Sequence, residues 1–412
     1  MAGFFRRETE LTCDGVSLSE IARAVGTPVY VYSRATIEEN YCRFDAALAS
    51  VDHLVCYATK ANANLSILRC LADLGAGADV VSGGELRAAL EAGIPAGRLV
   101  FSGVGKTEAE IAQGVAAGLL AFNAESEREL ERISAAAAAA GRTARVALRV
   151  NPDIDAKTHP YISTGLKHNK FGIDIGRARA VYETARGLPG LRPTGVQAHI
   201  GSQITDPAVL AETARELARL ALALLDSGFP LETLDVGGGV GIATDEEPGL
   251  SAEAYAAAVL PEVAGLPLRI LIEPGRAISG PAGALLTRVL DVKENGGKLF
   301  VVTDAGMNDL IRPALYGAEH PIDAVIARGQ MCVADVVGPV CESSDVFARD
   351  KKMDRPREGD LLAIRDAGAY GFAMSSNYNF RPRAAEVFVE GGSHRVIRRR
   401  ETFEDLVRLE RG

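Results

Sequence analysis

Up to about residue 275 the chain repeats one pattern: a short apolar run rich in β-branched residues, then a stretch whose apolar positions recur at helical spacing. Runs at His53–Thr59, Ala78–Val81, Arg98–Ser102, Leu119–Asn123, Arg145–Val150, Gly195–Ile200, Thr233–Val236 and Arg269–Ile272 read as eight strands. Helical spacing covers Ser66–Leu74, Glu85–Ala92, Glu108–Ala117, Glu125–Ala140 and Ala208–Leu225. Gly75, Gly93, Gly118, Gly141 and Gly228 stand where helices should close in a left-handed residue. Eight such units in roughly 230 residues predict a (β/α)8 TIM-type barrel, an α/β fold. A doubly wound open sheet is the alternative, because strand count does not by itself close the ring.

Beyond about residue 282 the helical spacing thins out. Ala284–Glu294, Lys298–Asp304, Met331–Val340, Asp360–Ala367 and Ala385–Val389 predict strands separated by Gly, Pro and Asp turns. They suggest a C-terminal antiparallel β domain of sandwich or Greek-key barrel type. Pro28–Tyr32 has the same β character, so the N-terminal segment is expected to join it. The expected division is a barrel over 36–281 and a β domain made of 1–35 and 282–412.

Of the 412 residues, 47% are hydrophobic and 24% charged, enough apolar material for a sizeable core. Lys and Arg total 45 against 54 Asp and Glu, a net charge of −9. That balance argues against nucleic acid as the main partner, since phosphate binding needs a cationic footprint. No apolar run reaches the ~18 residues of a membrane span. The opening MAGFFRRETE lacks the apolar core of a secretory signal, so none is expected. Six cysteines without CxxC spacing read as reduced thiols, which predicts a cytoplasmic protein. The histidines show no HxxH or HxxxH spacing, and no metal site is expected.

In such barrels the chemistry gathers at the C-terminal ends of the strands. Here those ends carry Lys60, Ser82-Gly-Gly-Glu85, Asn123, Asn151, His199 with Gly201-Ser202, Gly237-Gly238-Gly239, and Glu273-Pro-Gly275-Arg276. A lysine at a strand end can simply snorkel to water. In a barrel mouth it can also be an amine prepared for imine chemistry by desolvation and nearby cations. The glycine triplet is either a tight turn or a set of bare amides for an anion. It is no dinucleotide fingerprint, since Ile242 stands where the third glycine belongs, and Ser102-Gly-Val-Gly-Lys-Thr107 is no P-loop, since Val100 replaces its first glycine. Together with Gly275-Arg276 the triplet falls at the usual phosphate position of this barrel class. Glu273 is either a solvated turn residue or an acid for a protonated ring nitrogen, and His199 either a satisfied core residue or a flat ring to stack on a cofactor. An imine lysine, a phosphate cup and an acid are what pyridoxal 5′-phosphate requires.

Tyr57-Ala-Thr-Lys60-Ala-Asn62 resembles the cofactor-lysine motif of the alanine racemase-like, fold type III decarboxylases. His199-Ile-Gly-Ser-Gln203, Leu234-Asp-Val-Gly-Gly-Gly239 and Glu273-Pro-Gly-Arg276 are similar to that group's other cofactor motifs, in the same order. The resemblance runs from Thr27-Pro-Val-Tyr-Val-Tyr32 to Ser375-Ser-Asn-Tyr-Asn379. Within the group, Asn151–Gly165 with Lys170-Phe-Gly172, Ile311-Arg-Pro-Ala-Leu-Tyr316 and Gly338-Pro-Val-Cys-Glu-Ser343 resemble the diaminopimelate decarboxylase family.

The resemblance implies a role for each matching residue. Lys60 would hold the cofactor covalently and His199 would stack on its ring. Ser202, Gly237, Gly238, Gly239 and Gly275 would bind its phosphate, and Glu273 its pyridine nitrogen. Arg276, Arg312 and Tyr316 would bind the distal carboxylate of a small diamino-acid substrate, Arg276 also bordering the cofactor. Cys341, protonating Cα itself or through a water it controls, and Glu342 would enter from the second subunit of a homodimer, and Tyr370 would line the cofactor and substrate site. The segment after Asn151 would be a mobile loop over the site. The implied reaction is decarboxylation of meso-2,6-diaminopimelate to L-lysine and CO2. A sister enzyme for ornithine, D-lysine, arginine or carboxynorspermidine is the alternative. Arginine forks suit a carboxylate and Glu342 suits an ammonium, which favours the diamino diacid.

Overall fold

A computed structural model describes residues 2–155, 170–244 and 248–411. Two compact units emerge, one of Asn40–Ala243 with Pro248–Ala277, the other of Met1–Glu39 with Ile278–Gly412.

The first unit is a closed ring of parallel strands. In chain order these are His53–Ala58, Gly77–Val80, Leu99–Phe101, Ala121–Ala124, Ala144–Asn151, Leu191–Gln197, Thr233–Asp235 and Arg269–Ile272. Each pairs with the next, and the eighth returns to the first through Ile270 opposite His53. The ring is closed, which removes the open-sheet alternative. Most strand positions are buried on both faces, the signature of strands with side chains inside the ring and helices outside. Helices Leu65–Asp73, Gly83–Glu91, Glu108–Ala117, Glu127–Ala139, Pro207–Asp226 and Ala252–Val263 each begin behind a polar cap. Asn64, Ser82, Thr107, Ser126, Asp206 and Ser251 accept the amides left over in their first turns, each cap worth ~1 kcal/mol. All five glycines expected to end helices have positive φ.

The expected strands fall close to the observed ones, with one instructive shift. The sixth strand starts at Leu191 and ends at Gln197, four residues earlier and three earlier than Gly195–Ile200. Leu191-Arg-Pro-Thr reads as a breaker, but Pro193 sits at a register irregularity, where a missing amide costs no ladder bond. His199 consequently lies beyond the strand, not on it. Lys60 likewise lies past the first strand, in the single turn Thr59–Ala61.

The second unit is built on a sheet of nine strands. Val29–Ser33 lies within it, between Gly283–Asn295 and Ala385–Glu390, as the β character of Pro28–Tyr32 anticipated. The expected antiparallel pairing holds for most neighbours, but Val29–Ser33 with Ala385–Glu390 and Lys298–Thr303 with Met331–Val337 are parallel. Val346–Asp354 and Ser393–Arg398 occupy the two edges. Their alternation is too polar to announce a strand, which is how edges avoid unwanted pairing.

Candidate active site

The barrel unit gathers Lys60, His199, Ser202, Gly237, Gly238, Gly239, Glu273, Gly275 and Arg276 at the C-terminal ends of its strands. The Lys60 side chain is 31% exposed, and its Nζ donates to Asp79 Oδ2 at 2.6 Å. Asp79 comes from the second strand and is fully buried; among the described residues its Oδ1 has no hydrogen-bond partner. Glu273 follows the eighth strand and is 3% exposed. Asn123 Nδ2 donates to its Oε1 at 3.4 Å, and Gln197 Nε2 reaches Oε2 at 3.3 Å. These are long bonds to neutral amides. Burial first, then the Asp235 and Asp79 carboxylates, push the Glu273 carboxyl well above its ordinary range, while Lys60 pulls the other way. Asp235 is raised to about 7, mainly by burial, although the Gly237 amide donates to its Oδ1 at 2.9 Å.

The turn after the seventh strand can be made only of glycine. A Cβ on Gly237 would collide with the Ala198 carbonyl oxygen, on Gly238 with that of Glu273, and on Gly239 with that of Gly201. Gly237 and Gly239 also have φ of 71° and 96°. The loop after the sixth strand is tied to this turn twice. The Gly238 amide donates to His199 Nδ1 at 3.2 Å, and Gln203 Nε2 donates to the Ile242 carbonyl at 2.6 Å. Because Nδ1 accepts, His199 is neutral in this arrangement; desolvation and the Lys60 and Arg149 charges hold it well below its ordinary value. Arg276 Nη2 donates to Ser202 Oγ at 3.2 Å. Arg149 pairs with buried Glu125 at 2.9 Å and supports the His199 carbonyl at 3.3 Å. Lys106 is buried, its Nζ spent on Glu129 and the Gly103 and Asn123 carbonyls, so it cannot serve an anion from outside.

The sheet unit carries Arg312, Tyr316, Cys341, Glu342 and Tyr370. Arg312 and Tyr316 share the short helix Arg312–Tyr316. Cys341 and Glu342 are exposed on a loop fixed from beneath by Asp345, whose carboxylate accepts the Met307 and Val340 amides at 2.6 Å. Asn379 Oδ1 accepts the Cys341 amide at 3.2 Å, and Tyr378 donates to Glu342 Oε1 at 2.9 Å. Tyr370 is half-buried with φ 57°. The expected loop after Asn151 falls largely on residues 156–169, outside the described residues.

Residues 34–280 match the family model described as pyridoxal-dependent decarboxylase, pyridoxal binding domain. Over 395 residues the chain is 51% identical to diaminopimelate decarboxylase of Neisseria meningitidis serogroup A, covering 96% of this chain and 97% of that one. The chain belongs to the diaminopimelate decarboxylases. Diaminopimelate decarboxylase of Aquifex aeolicus is 47% identical over 403 residues, covering 97% of this chain and 96% of that one. A crystal structure of the Helicobacter pylori diaminopimelate decarboxylase complexed with L-lysine is similar at TM-score 0.92 and 45% identity, over 95% of this chain and 99% of the other.

Several polar residues beside Lys60 and Glu273 are given no role by any sequence motif. Asp79 is the clearest: a carboxylate inside the buried run Gly77-Ala-Asp-Val80 is itself a signal, because an isolated buried charge is costly. Asp235 stood in a quoted motif with no role attached, and Gln197 looked like an ordinary strand residue.

Proposed function

We propose that this protein uses pyridoxal 5′-phosphate to decarboxylate meso-2,6-diaminopimelate, giving L-lysine and CO2 as the last step of lysine biosynthesis. The observation that carries the reading is the shared barrel rim of Lys60, the glycine turn 237–239 and Glu273. The residues fit the cofactor. Side chains are sterically excluded from the turn, which lets a phosphate approach its backbone closely, although Asp235 and His199 already accept the Gly237 and Gly238 amides. Glu273 is a buried acid facing neutral amides, and a protonated ring nitrogen would restore its charge. Bound there, the cofactor supplies a sink for the electron pair left when CO2 departs.

This chain's own residues do the rest. Lys60 presents the amine that anchors the cofactor, held by Asp79. Glu273 keeps a proton on the ring nitrogen. Ser202, Gly237, Gly238, Gly239 and Gly275 take the phosphate, with Arg276 beside it. Neutral His199 offers a flat face to the ring. Arg276, Arg312 and Tyr316 grip the distal carboxylate, Glu342 accepts the distal ammonium, and Tyr370 lines the pocket. Cys341 delivers a proton to Cα after CO2 leaves. Residues 36–281 form the cofactor-binding part and contribute Arg276 to the substrate; 1–35 and 282–412 form the β domain that supplies the other substrate-binding side chains.

The protein works as a cytoplasmic homodimer, Cys341 and Glu342 serving the second copy. Exposed Met331, Val333 and Phe380, at 58%, 57% and 53%, support an association surface in the unit that carries Cys341. Among the described residues no helix is long and apolar enough to cross a membrane. A CO2-release panel tests the substrate: meso-diaminopimelate should react, and ornithine, D-lysine, arginine and carboxynorspermidine should not. Faster release from any of those four would replace this assignment.

A further inference from the structure

His320 is 3% exposed and lies eight positions after Arg312. Its Nδ1 is 2.8 Å from the Arg365 carbonyl oxygen, and a carbonyl only accepts, so Nδ1 carries the proton. Its Nε2 is 2.9 Å from Arg312 Nη1, and a guanidinium only donates, so Nε2 receives that bond with its lone pair. The ring is therefore a neutral relay with one tautomer fixed by the backbone. That backbone is rigid. The Arg365 amide donates to the Pro321 carbonyl at 2.8 Å, Ile322–Ala324 pairs antiparallel with Leu361–Ile364, and Arg365 Nε holds Asp323 at 2.6 Å.

We infer that His320 is a positioning residue for substrate specificity, orienting the Arg312 fork toward the distal carboxylate. This rests on the reading that Arg312 binds that carboxylate. A flexible guanidinium must be ordered before it can make a two-point contact. A buried acceptor on one of its nitrogens supplies that order in advance, and as a neutral group it does not consume the charge the substrate needs.

Three variants of the full-length holoenzyme test it. H320N keeps a donor for the Arg365 carbonyl but has nothing at the Nε2 position. H320L removes the acceptor at similar volume. H320Q places an amide oxygen near Nε2. In H320N and H320L the KM for meso-diaminopimelate and the inhibition constant of L-lysine, which retains the distal carboxylate, should rise together about tenfold, the size of one charged hydrogen bond. Turnover should change less, by under about threefold, and inhibition by cadaverine, a diamine without carboxylates, should not move. H320Q should recover most of the loss. Unchanged KM in both H320N and H320L, or cadaverine weakened as much as L-lysine, would overturn the assignment. R312A separates the two layers. If it raises KM while the His320 variants do not, only the positioning role fails; if it leaves KM unchanged, the reading of Arg312 fails.

Discussion

Lys60 and Asp79 form an ion pair of unequal partners: a partly exposed amine and a carboxylate with no exposure at all. Such a pair holds the amine in place more than it stabilises the fold, because desolvating Asp79 offsets the attraction. D79N should lower turnover about tenfold to a hundredfold in the reconstituted enzyme while leaving it folded, measured by steady-state rates and circular dichroism. Equal rates in the two proteins would remove Asp79 from the account. Asp235 gives a pH prediction. Its ordinary value is 3.8 and the fold raises it to about 7, so the folded state holds this proton more tightly than the unfolded chain does. Its contribution to stability is complete below pH 3.8 and is lost as pH rises through about 7. Glu273, raised by burial, contributes in the same direction. D235N, which still accepts the Gly237 amide, should flatten the fall in Tm of the cofactor-free protein across that window; an unaltered slope would show that the proton sits elsewhere. Lys60 and Glu273 were legible because each stands next to a strand end in a short motif. The buried charge of Asp79 carried a signal but its Lys60 partner did not, and His320 carried none, because its role arises from partners on other segments, such as the Arg365 carbonyl.

At the scale of elements, the seventh strand and its glycine turn are dictated by crowding. G238A should fail to bind the cofactor or fail to fold, since its methyl group would meet the Glu273 carbonyl. Asp345 plays the corresponding part in the other unit: its carboxylate ties the Val340 amide, next to Cys341, to the Met307 amide of another segment. D345A should cut turnover by about tenfold or more with cofactor affinity intact, because it loosens a loop rather than the cradle; a loss of cofactor binding in that variant would contradict this division. Strands flanked by helices were readable from periodicity, since their apolar runs are continuous. The bulge at Pro193 and the polar edge strand Val346–Asp354 were not, because a bulge breaks the period and an edge needs few apolar residues.

For the whole molecule, the account predicts that two defective chains repair one another. Mixing K60A with C341A subunits, each nearly inactive alone, should restore about a quarter of the wild-type rate if Cys341 serves the opposite copy of a dimer. No recovery after verified subunit exchange would place Cys341 in its own chain's site. The central claim is that Lys60 anchors pyridoxal 5′-phosphate for decarboxylation of meso-diaminopimelate. Its most direct measurement compares wild-type and K60A protein, each incubated with the cofactor and then with substrate, recording lysine formed and absorbance near the visible edge. Wild-type protein should show the absorption band and release lysine, and K60A should do neither. A K60A protein that keeps the band and makes lysine at the normal rate would contradict the account.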